Sequence, residues 1–218
     1  MADVEHVLLS LLFPPVCLGC GVLLRRGADP HLPLCQRCAL EHVGLPSAAR
    51  AIAGISAVHA YAGPLLRALQ RLKFHHQPAW AGPLGSVLAS SPAFDLGWDA
   101  LVPVPLHPAR LRQRGYNQSA LLARFGRAQR PCPRPPLRPH WLQRARDTAP
   151  QHRLPADQRP GNVHEAFRAP HPERVADRRI LLVDDVTTTG ATLHAARRAL
   201  LAAGAAEVGA LALLRTLA

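Results

Sequence analysis

Arg179-Ile180-Leu181-Leu182-Val183-Asp184-Asp185-Val186-Thr187-Thr188-Thr189-Gly190-Ala191-Thr192 is the stretch on which the reading of the fold turns. Its first five residues read as a continuous apolar strand, its threonine-rich turn leads into a helix ending near Gly204, and Val208 to Leu214 reads as a second strand. Strand, helix and strand in this order form a βαβ unit, whose crossover makes the two strands parallel and buried. The fold class expected is therefore α/β with a central parallel sheet. Ligands of such sheets sit beyond the carboxyl ends of the strands, where Asp184 and Asp185 fall. Free N–H groups at the helix start and the hydroxyls of Thr187, Thr188, Thr189 and Thr192 suit a phosphate, with Gly190 allowing close backbone approach. The adjacent carboxylates suit a vicinal diol or a divalent cation. An ordinary capped helix needs one such residue, so the cluster exceeds structural need and points to a sugar phosphate. Neither Gly-Lys-Ser/Thr nor G-x-G-x-x-G occurs, which excludes the two commonest phosphate loops.

Upstream, Ala100 to Pro105 reads as a buried strand stopping at a rigid Pro-rich loop, and Ile55 to Ala60 as a shorter strand. Pro64 opens a helix through Leu65, Leu66, Leu69 and Leu72 to Phe74, and a second helix, broken by Gly82 and Pro83, is expected over 79–90. A basic run with Arg110, Arg112 and Arg114 precedes Gly115-Tyr116-Asn117-Gln118, after which Leu121, Leu122 and Phe125 mark a helix. Residues 130–139, rich in Pro and Arg, read as an extended connection. Residues 143–162 hold Arg144, Arg146, Arg153 and Arg159 without any apolar period, the pattern of a functional lid or a disordered loop. His75 and His76, adjacent on a helix, point in different directions and read as a surface pair.

Four of the five cysteines cluster as Cys17-x2-Cys20 and Cys35-x2-Cys38, a spacing that suits tetrahedral Zn²⁺ held by two knuckles. With all four positions filled by protein, such a metal holds the fold and does not catalyse. Asp3 and Glu5 make the start acidic where a secretory leader is basic, which favours zinc over disulfides and a cytoplasmic setting. Cys132 reads as an incidental thiol. Val4, Val7, Leu8, Leu11 and Leu12 recur at helical spacing over residues 3–13, so the expected organisation is a helix and zinc module over 1–45 and a main domain over 46–218.

The whole chain has 218 residues, 48% of them hydrophobic, which is enough for a buried core, and no run approaches the roughly 18 apolar residues of a membrane span. The net charge of +12 favours anionic partners such as nucleic acid or phosphorylated small molecules. Lys73 is the only lysine among 26 basic residues, so compositional bias is an alternative source of that charge.

Leu182 to Thr192 closely resembles the phosphoribosyl pyrophosphate (PRPP) motif of type I phosphoribosyltransferases. The cysteine pairs, Val102-Pro103-Val104-Pro105-Leu106, Arg114-Gly115-Tyr116-Asn117-Gln118, Arg144 with Thr148 and Gln151, and Arg159 with Asn162 occur in the order seen in the ComF/GntX family, whose members are associated with bacterial DNA uptake. The resemblance covers nearly the whole chain. It implies a type I phosphoribosyltransferase fold in which Asp184 and Asp185 bind the ribose hydroxyls and Val186, Thr187, Thr188, Thr189, Gly190, Ala191 and Thr192 form the PRPP loop around the 5′-phosphate. It also implies Mg²⁺ bridging pyrophosphate and ribose, a pyrophosphate loop at Val104, Pro105, Leu106 and His107, and a mobile catalytic loop over 144–162. Arg144 and Arg159 are the two arginines placed to reach the leaving pyrophosphate, whose oxygens a guanidinium matches, and Arg144 is favoured because Thr148 and Gln151 accompany it; Asp185 is the nearest candidate base, though a carboxylate engaged by ribose or metal is a poor one.

The implied reaction displaces pyrophosphate from C1 of the ribose by a nitrogen nucleophile. No stretch resembles a glutamine-hydrolysing domain, so ammonia from glutamine is not expected and the acceptor is open. Around Lys73 the family commonly shows basic-aromatic-basic-Gly-Asp, whereas Lys73-Phe74-His75-His76-Gln77-Pro78 lacks the Gly and the Asp, and no ligand role is assigned to it. Two other readings stand beside this one, the first of which shares the phosphate pocket. One is a non-enzymatic module for PRPP and single-stranded DNA, using the knuckles, Tyr116, Phe74 and the arginine-rich loop. The other is an adaptor whose zinc module contacts a DNA-uptake helicase or a recombination mediator.

Overall fold

Ile180, Leu181, Leu182 and Val183 present no polar face, and a strand of that kind is stable only when covered on both sides. The computed structural model, which describes residues 15–25, 27–29, 31–130, 134–144 and 166–217, covers it in that way. A cysteine-bearing segment leads to α1 (Gln36–Leu40), α2 (Ser47–Arg50) and the strands β1 (Ala51–Ile52) and β2 (Ile55–Ala60). Helices α3 (Gly63–Phe74) and α4 (Ala81–Ala89) then run to β3 (Ala100–Pro103), followed by α5 (Pro108–Arg114), α6 (Gln118–Ala128) and the short β4 (Gln143–Arg144). The last part holds β5 (Phe167–Arg168), α7 (Pro172–Val175), β6 (Arg179–Thr187), α8 (Ala191–Ala202) and β7 (Glu207–Arg215).

The main sheet has the order β1-β2-β7-β6-β3 and is parallel except at β1. On one face Leu65, Leu69 and Leu72 of α3, Leu84 and Leu88 of α4 and Leu122 of α6 pack on Leu101, Leu181 and Leu211. On the other, Leu193, Ala196 and Leu200 of α8 pack on Val102, Ile180, Leu182 and Ala210. The helices that follow β3 and the helix that follows β6 therefore lie on opposite faces, which opens a crevice between the carboxyl ends of those neighbouring strands. At the outer edge of β3, Pro136 and Arg138 exchange backbone hydrogen bonds with Leu101 at 2.9 and 2.8 Å, covering an edge that would otherwise pair elsewhere.

The strand expected to stop at Val183 continues to Thr187, because Asp184, Val186 and Thr187 keep the register with Ala212, Leu214 and Arg215. Both acids thus sit within the strand rather than after it. Gly82 and Pro83 do not break a helix: they stand in the first turn of α4, where proline has no hydrogen bond to lose. Helix α5 has no buried residue and hence no apolar period, but its boundaries are plain, with His107 and Pro108 at the start and Gly115 at φ +83° at the end. β4 and β5 pair antiparallel and flank 145–165. The expected loop beyond Arg144, with Arg146, Thr148, Gln151, Arg153, Arg159 and Asn162, lies outside the described residues, as do the helix expected over 3–13 and Cys132. No helix among the described residues is long and apolar enough to cross a membrane.

Candidate functional site

Asp184 and Asp185 are both buried, and each is met by a residue from the start of α6. Ser119 donates its hydroxyl to Asp184 Oδ1 at 2.9 Å, the same oxygen that accepts the backbone N–H of Asp185 at 2.9 Å. Gln118 donates Nε2 to Asp185 Oδ1 at 3.4 Å, and the ammonium of Lys73, at the end of α3, forms an ion pair with Asp185 Oδ2. The two carboxyls are thereby made unequal. Burial, and then the charge of Asp185, push Asp184 up from 3.8 to about 8, so at neutral pH it is held protonated beside the lysine-paired Asp185.

Each residue of Arg114-Gly115-Tyr116-Asn117-Gln118 has a separate task in building this arrangement. Gly115 ends α5 in the left-handed conformation, and the Tyr116 hydroxyl donates to the carbonyl of Leu72, pinning the end of α3 from which Lys73 projects. Asn117 caps α6, accepting from the Ser119 N–H at 2.9 Å, and its Nδ2 donates to the Val104 carbonyl at 3.0 Å. One side chain thus ties the helix that holds the acids to the loop that follows β3. Arg114 donates to Gln118 Oε1, and its guanidinium lies 5.6 Å over the ring of Phe74.

A cleft of about 490 Å³ opens at this point, with Val104, Pro105 and Leu106 on one wall, Asp184 and Asp185 at the base, and Arg144 among its lining. Lys73, Phe74, His76, Arg110, Gln113, Arg114 and Gln118 complete it. Arg144 also stacks 5.6 Å over Phe167 across the β4–β5 pair. His107 is not part of this lining; its Nδ1 accepts the Ala109 N–H at 3.3 Å at the start of α5. Thr187 is buried at the end of β6, whereas Thr188, Thr189 and Thr192 are exposed, Val186 is partly buried against the core, and Ala191 opens α8. Gly190 has φ +82°, and a Cβ there would lie 2.5 Å from Ile55 Cδ1, so both conformation and space call for glycine. The cleft is lined by the acids and the loop after β3; the threonine turn is not in that lining but continues the same strand to a helix N-terminus.

Sequence reasoning missed Lys73, Gln118 and Ser119 as partners of the acids. The available signal was that a chain using arginine almost throughout keeps one lysine, at Lys73. His76, at the position where the resembling family commonly has glycine, has φ +51°, so the left-handed turn persists with a side chain that tolerates it.

The sulfurs of Cys17, Cys20, Cys35 and Cys38 all lie within 4.8 Å of one another. A tetrahedral zinc site with bonds of about 2.3 Å has sulfur–sulfur edges of about 3.8 Å, and Cys20 and Cys35 stand 3.7 Å apart. The Cys35 backbone N–H donates to the Cys17 sulfur at 3.2 Å, the kind of bond that supports a thiolate ligand. Burial raises Cys17, but the surrounding N–H donors outweigh it and bring that thiol to about 6; burial and the neighbouring sulfurs push Cys38 to about 12. Four thiols this close ionise together only around a cation, so the donor set fits a metal ion of the zinc type. Gly19 is required here, since a Cβ would lie 2.6 Å from the Cys38 sulfur and 2.7 Å from Pro64.

Residues 143–218 match the phosphoribosyl transferase domain. The chain is 34% identical to the DNA utilization protein YhgH of Salmonella typhimurium, over 93% of this chain and 85% of that protein. It is 37% identical to competence protein F of Haemophilus influenzae, over 50% of this chain and 47% of the relative, and 28% identical to competence protein ComFC of Bacillus subtilis, over 98% and 90%. A mostly parallel sheet with a phosphoribosyltransferase motif on β6, next to the edge strand β3, a four-cysteine cluster before it and this breadth of similarity agree: the chain belongs to the ComF family.

Proposed function

We propose that this protein binds PRPP across the cleft and the threonine turn and transfers the phosphoribosyl group to a nitrogen acceptor, releasing pyrophosphate. The observation that carries this reading is the convergence of Asp184, Asp185, Lys73, Arg114, Arg144 and the Val104–Leu106 wall on one cleft at the crevice between β3 and β6. The acid pair accepts the ribose hydroxyls, with Ser119 and Gln118 holding the carboxyls in place. The turn from Thr187 to Thr192 presents hydroxyls and helix N–H groups to the 5′-phosphate. Arg114 and Arg144 face the diphosphate from the two sides of the cleft, and Lys73, released from Asp185, meets the same charge. Asp185, and Asp184 once a bound cation displaces its proton, offer the oxygen ligands Mg²⁺ prefers, and Mg²⁺ bound there would supply further neutralisation of the leaving group. The C1–O bond to pyrophosphate breaks as the C1–N bond forms, and the acceptor's surplus proton leaves to solvent. A zinc ion on Cys17, Cys20, Cys35 and Cys38 holds the N-terminal module. The relatives' names speak of competence and DNA utilization, which supports a role for this chemistry in the use of DNA that is taken up, and the setting proposed for it is the cytoplasm.

The test is calorimetry of PRPP with Mg²⁺ on full-length, zinc-replete protein, followed by a screen of amines and bases for pyrophosphate release. Binding is expected to weaken at least tenfold in Asp185→Asn, since hydrogen bonds to a charged group contribute about 1.5–3 kcal/mol each. Absence of heat with the wild type overturns the reading. A second reading, favoured by the exposed Phe74 at the cleft rim and the net charge of +12, is a non-catalytic module that takes PRPP and single-stranded DNA. It predicts steeply salt-dependent strand binding and no pyrophosphate release with any acceptor. Tyr116, partly buried against the core and bonded to α3 through its hydroxyl, offers a base less free ring surface than the exposed Phe74. An adaptor role of residues 1–45 towards a helicase or recombination mediator is tested by pull-down with chains lacking them.

A further inference from the structure

Arg215, the last residue of β7, is 5% exposed. One guanidinium nitrogen donates to the Ile55 carbonyl at 2.7 Å, and Nε is buried without a hydrogen-bond partner. No carboxylate pairs with it among the described residues. A guanidinium carries five N–H donors and a permanent charge, so one neutral carbonyl on one nitrogen leaves the buried Nε–H and the charge itself without a counterpart. Buried charges in that condition are rare outside ligand sites, because desolvation is repaid only by an opposite charge.

Its neighbours locate the missing charge. Thr187 is the register partner of Arg215 across β6 and β7, is 3% exposed, and its Oγ1 is likewise buried without a partner. On the other side, Ile55 accepts from Arg215 through its carbonyl while its Cδ1 lies 2.5 Å from the position a Cβ on Gly190 would take. Arg215 is therefore framed by residues touching the first and last positions of the turn 187–190, just before α8 begins with its free N–H groups. A buried unneutralised cation, an unpaired buried hydroxyl and a twelve-residue helix starting at the same end of the sheet share one demand, which is a compact dianion.

We infer that Arg215 is the buried counter-charge of the threonine turn and selects a phosphate monoester there. The inference deepens the PRPP reading and rests on it for the identity of the sugar. A monoester is close to a dianion at neutral pH, its second pKa being about 6, whereas a phosphodiester carries one charge and a free sugar none. The turn is thus tuned to the 5′-phosphate terminus of a pentose and not to an internal nucleic-acid phosphate.

The experiment titrates ribose 5-phosphate, ribose, pyrophosphate and PRPP into full-length, zinc-replete wild type, Arg215→Met and Arg215→Lys, with melting temperatures in parallel. The wild type is expected to bind ribose 5-phosphate but not ribose, with affinity falling as pH drops through about 6 and the dianion is lost. Arg215→Met is expected to weaken ribose 5-phosphate at least tenfold and leave pyrophosphate unchanged, and Arg215→Lys to lose less, keeping the charge without the fork. If Arg215→Met melts lower but binds ribose 5-phosphate like the wild type, Arg215 is only a latch on Ile55 and the inference is overturned. Should the Met variant fail to fold, equal affinity in the Lys variant overturns it in the same way. Ribose 5-phosphate binding that depends on Arg215, without any PRPP binding, removes the PRPP reading and leaves the counter-charge. PRPP binding indifferent to Arg215 does the reverse, and a wild type that ignores ribose 5-phosphate removes the inference outright.

Discussion

Asp184 and Asp185 differ by one position and by everything else that governs a carboxyl. Asp184 is enclosed, with one hydroxyl and one N–H on a single oxygen; Asp185 has the ammonium of Lys73. Because burial and the Asp185 charge raise Asp184 to about 8, the folded chain holds a proton that the unfolded chain releases near 3.8. The contribution of this group to stability is complete below pH 3.8 and is lost as pH rises through about 8. The unliganded protein is thus expected to show a lower denaturation midpoint at pH 8.5 than at pH 6, and Asp184→Asn, which stays neutral, is expected to flatten that slope. A pH-independent midpoint in the wild type would contradict the assignment. The acids were legible in the sequence because their motif is contiguous. Their partners were not, since Ser119 and Gln118 lie 65 and 67 positions away and only the packing of α6 on β6 brings them together.

At the scale of elements, the legible parts were those with a strong apolar period or run: β2, α3, β3, α6, β6, α8 and β7 all fall where expected. Helix α5 escaped because it buries nothing, and the extension of β6 escaped because aspartate is a poor strand former whose placement there is set by the ladder with β7. The contact between α4 and α6, which carries the cap Asn117 and hence the site, depends on two glycines that no periodicity marks. A Cβ on Gly85 would stand 2.6 Å from Phe125 Cβ and 2.9 Å from the Gly126 nitrogen, and one on Gly126 would stand 3.0 Å from the Gly85 carbonyl. Backbone cannot give way as a side-chain tip can, so the helices must separate. Gly85→Ala is expected to cost about 1–3 kcal/mol despite alanine's better helix propensity. Denaturant unfolding checks this, and a variant as stable as the wild type would show that α4 and α6 pack with slack. The same separation shifts Ser119 relative to Asp184, so PRPP affinity is expected to fall with stability.

On the scale of the whole molecule, the cysteine segment and the sheet domain share one core. Leu18, between the first two cysteines, is fully buried in the cluster that contains Leu65, Ala68 and Leu69 of α3, and Gly19 packs on Pro64 at the start of that helix. Arg67, also on α3, donates to Glu41 at 2.6 Å just beyond the last cysteine. The far end of α3 supplies Lys73 to Asp185. One helix therefore runs from the proposed metal centre to the candidate active site, about 18 Å at the ordinary rise of 1.5 Å per residue. Withdrawing the metal leaves four thiols that no longer hold the knuckle, exposes Leu18 and loosens the start of α3. A strong chelator is accordingly expected to lower the melting temperature by several degrees and to weaken PRPP binding, although no cysteine among the described residues lines the cleft. Cys35→Ser should reproduce both effects, and zinc should reverse those of the chelator but not of the substitution. If chelation melts the cysteine segment while PRPP affinity stays constant, α3 is held by the sheet alone, and the two ends of the molecule are mechanically independent.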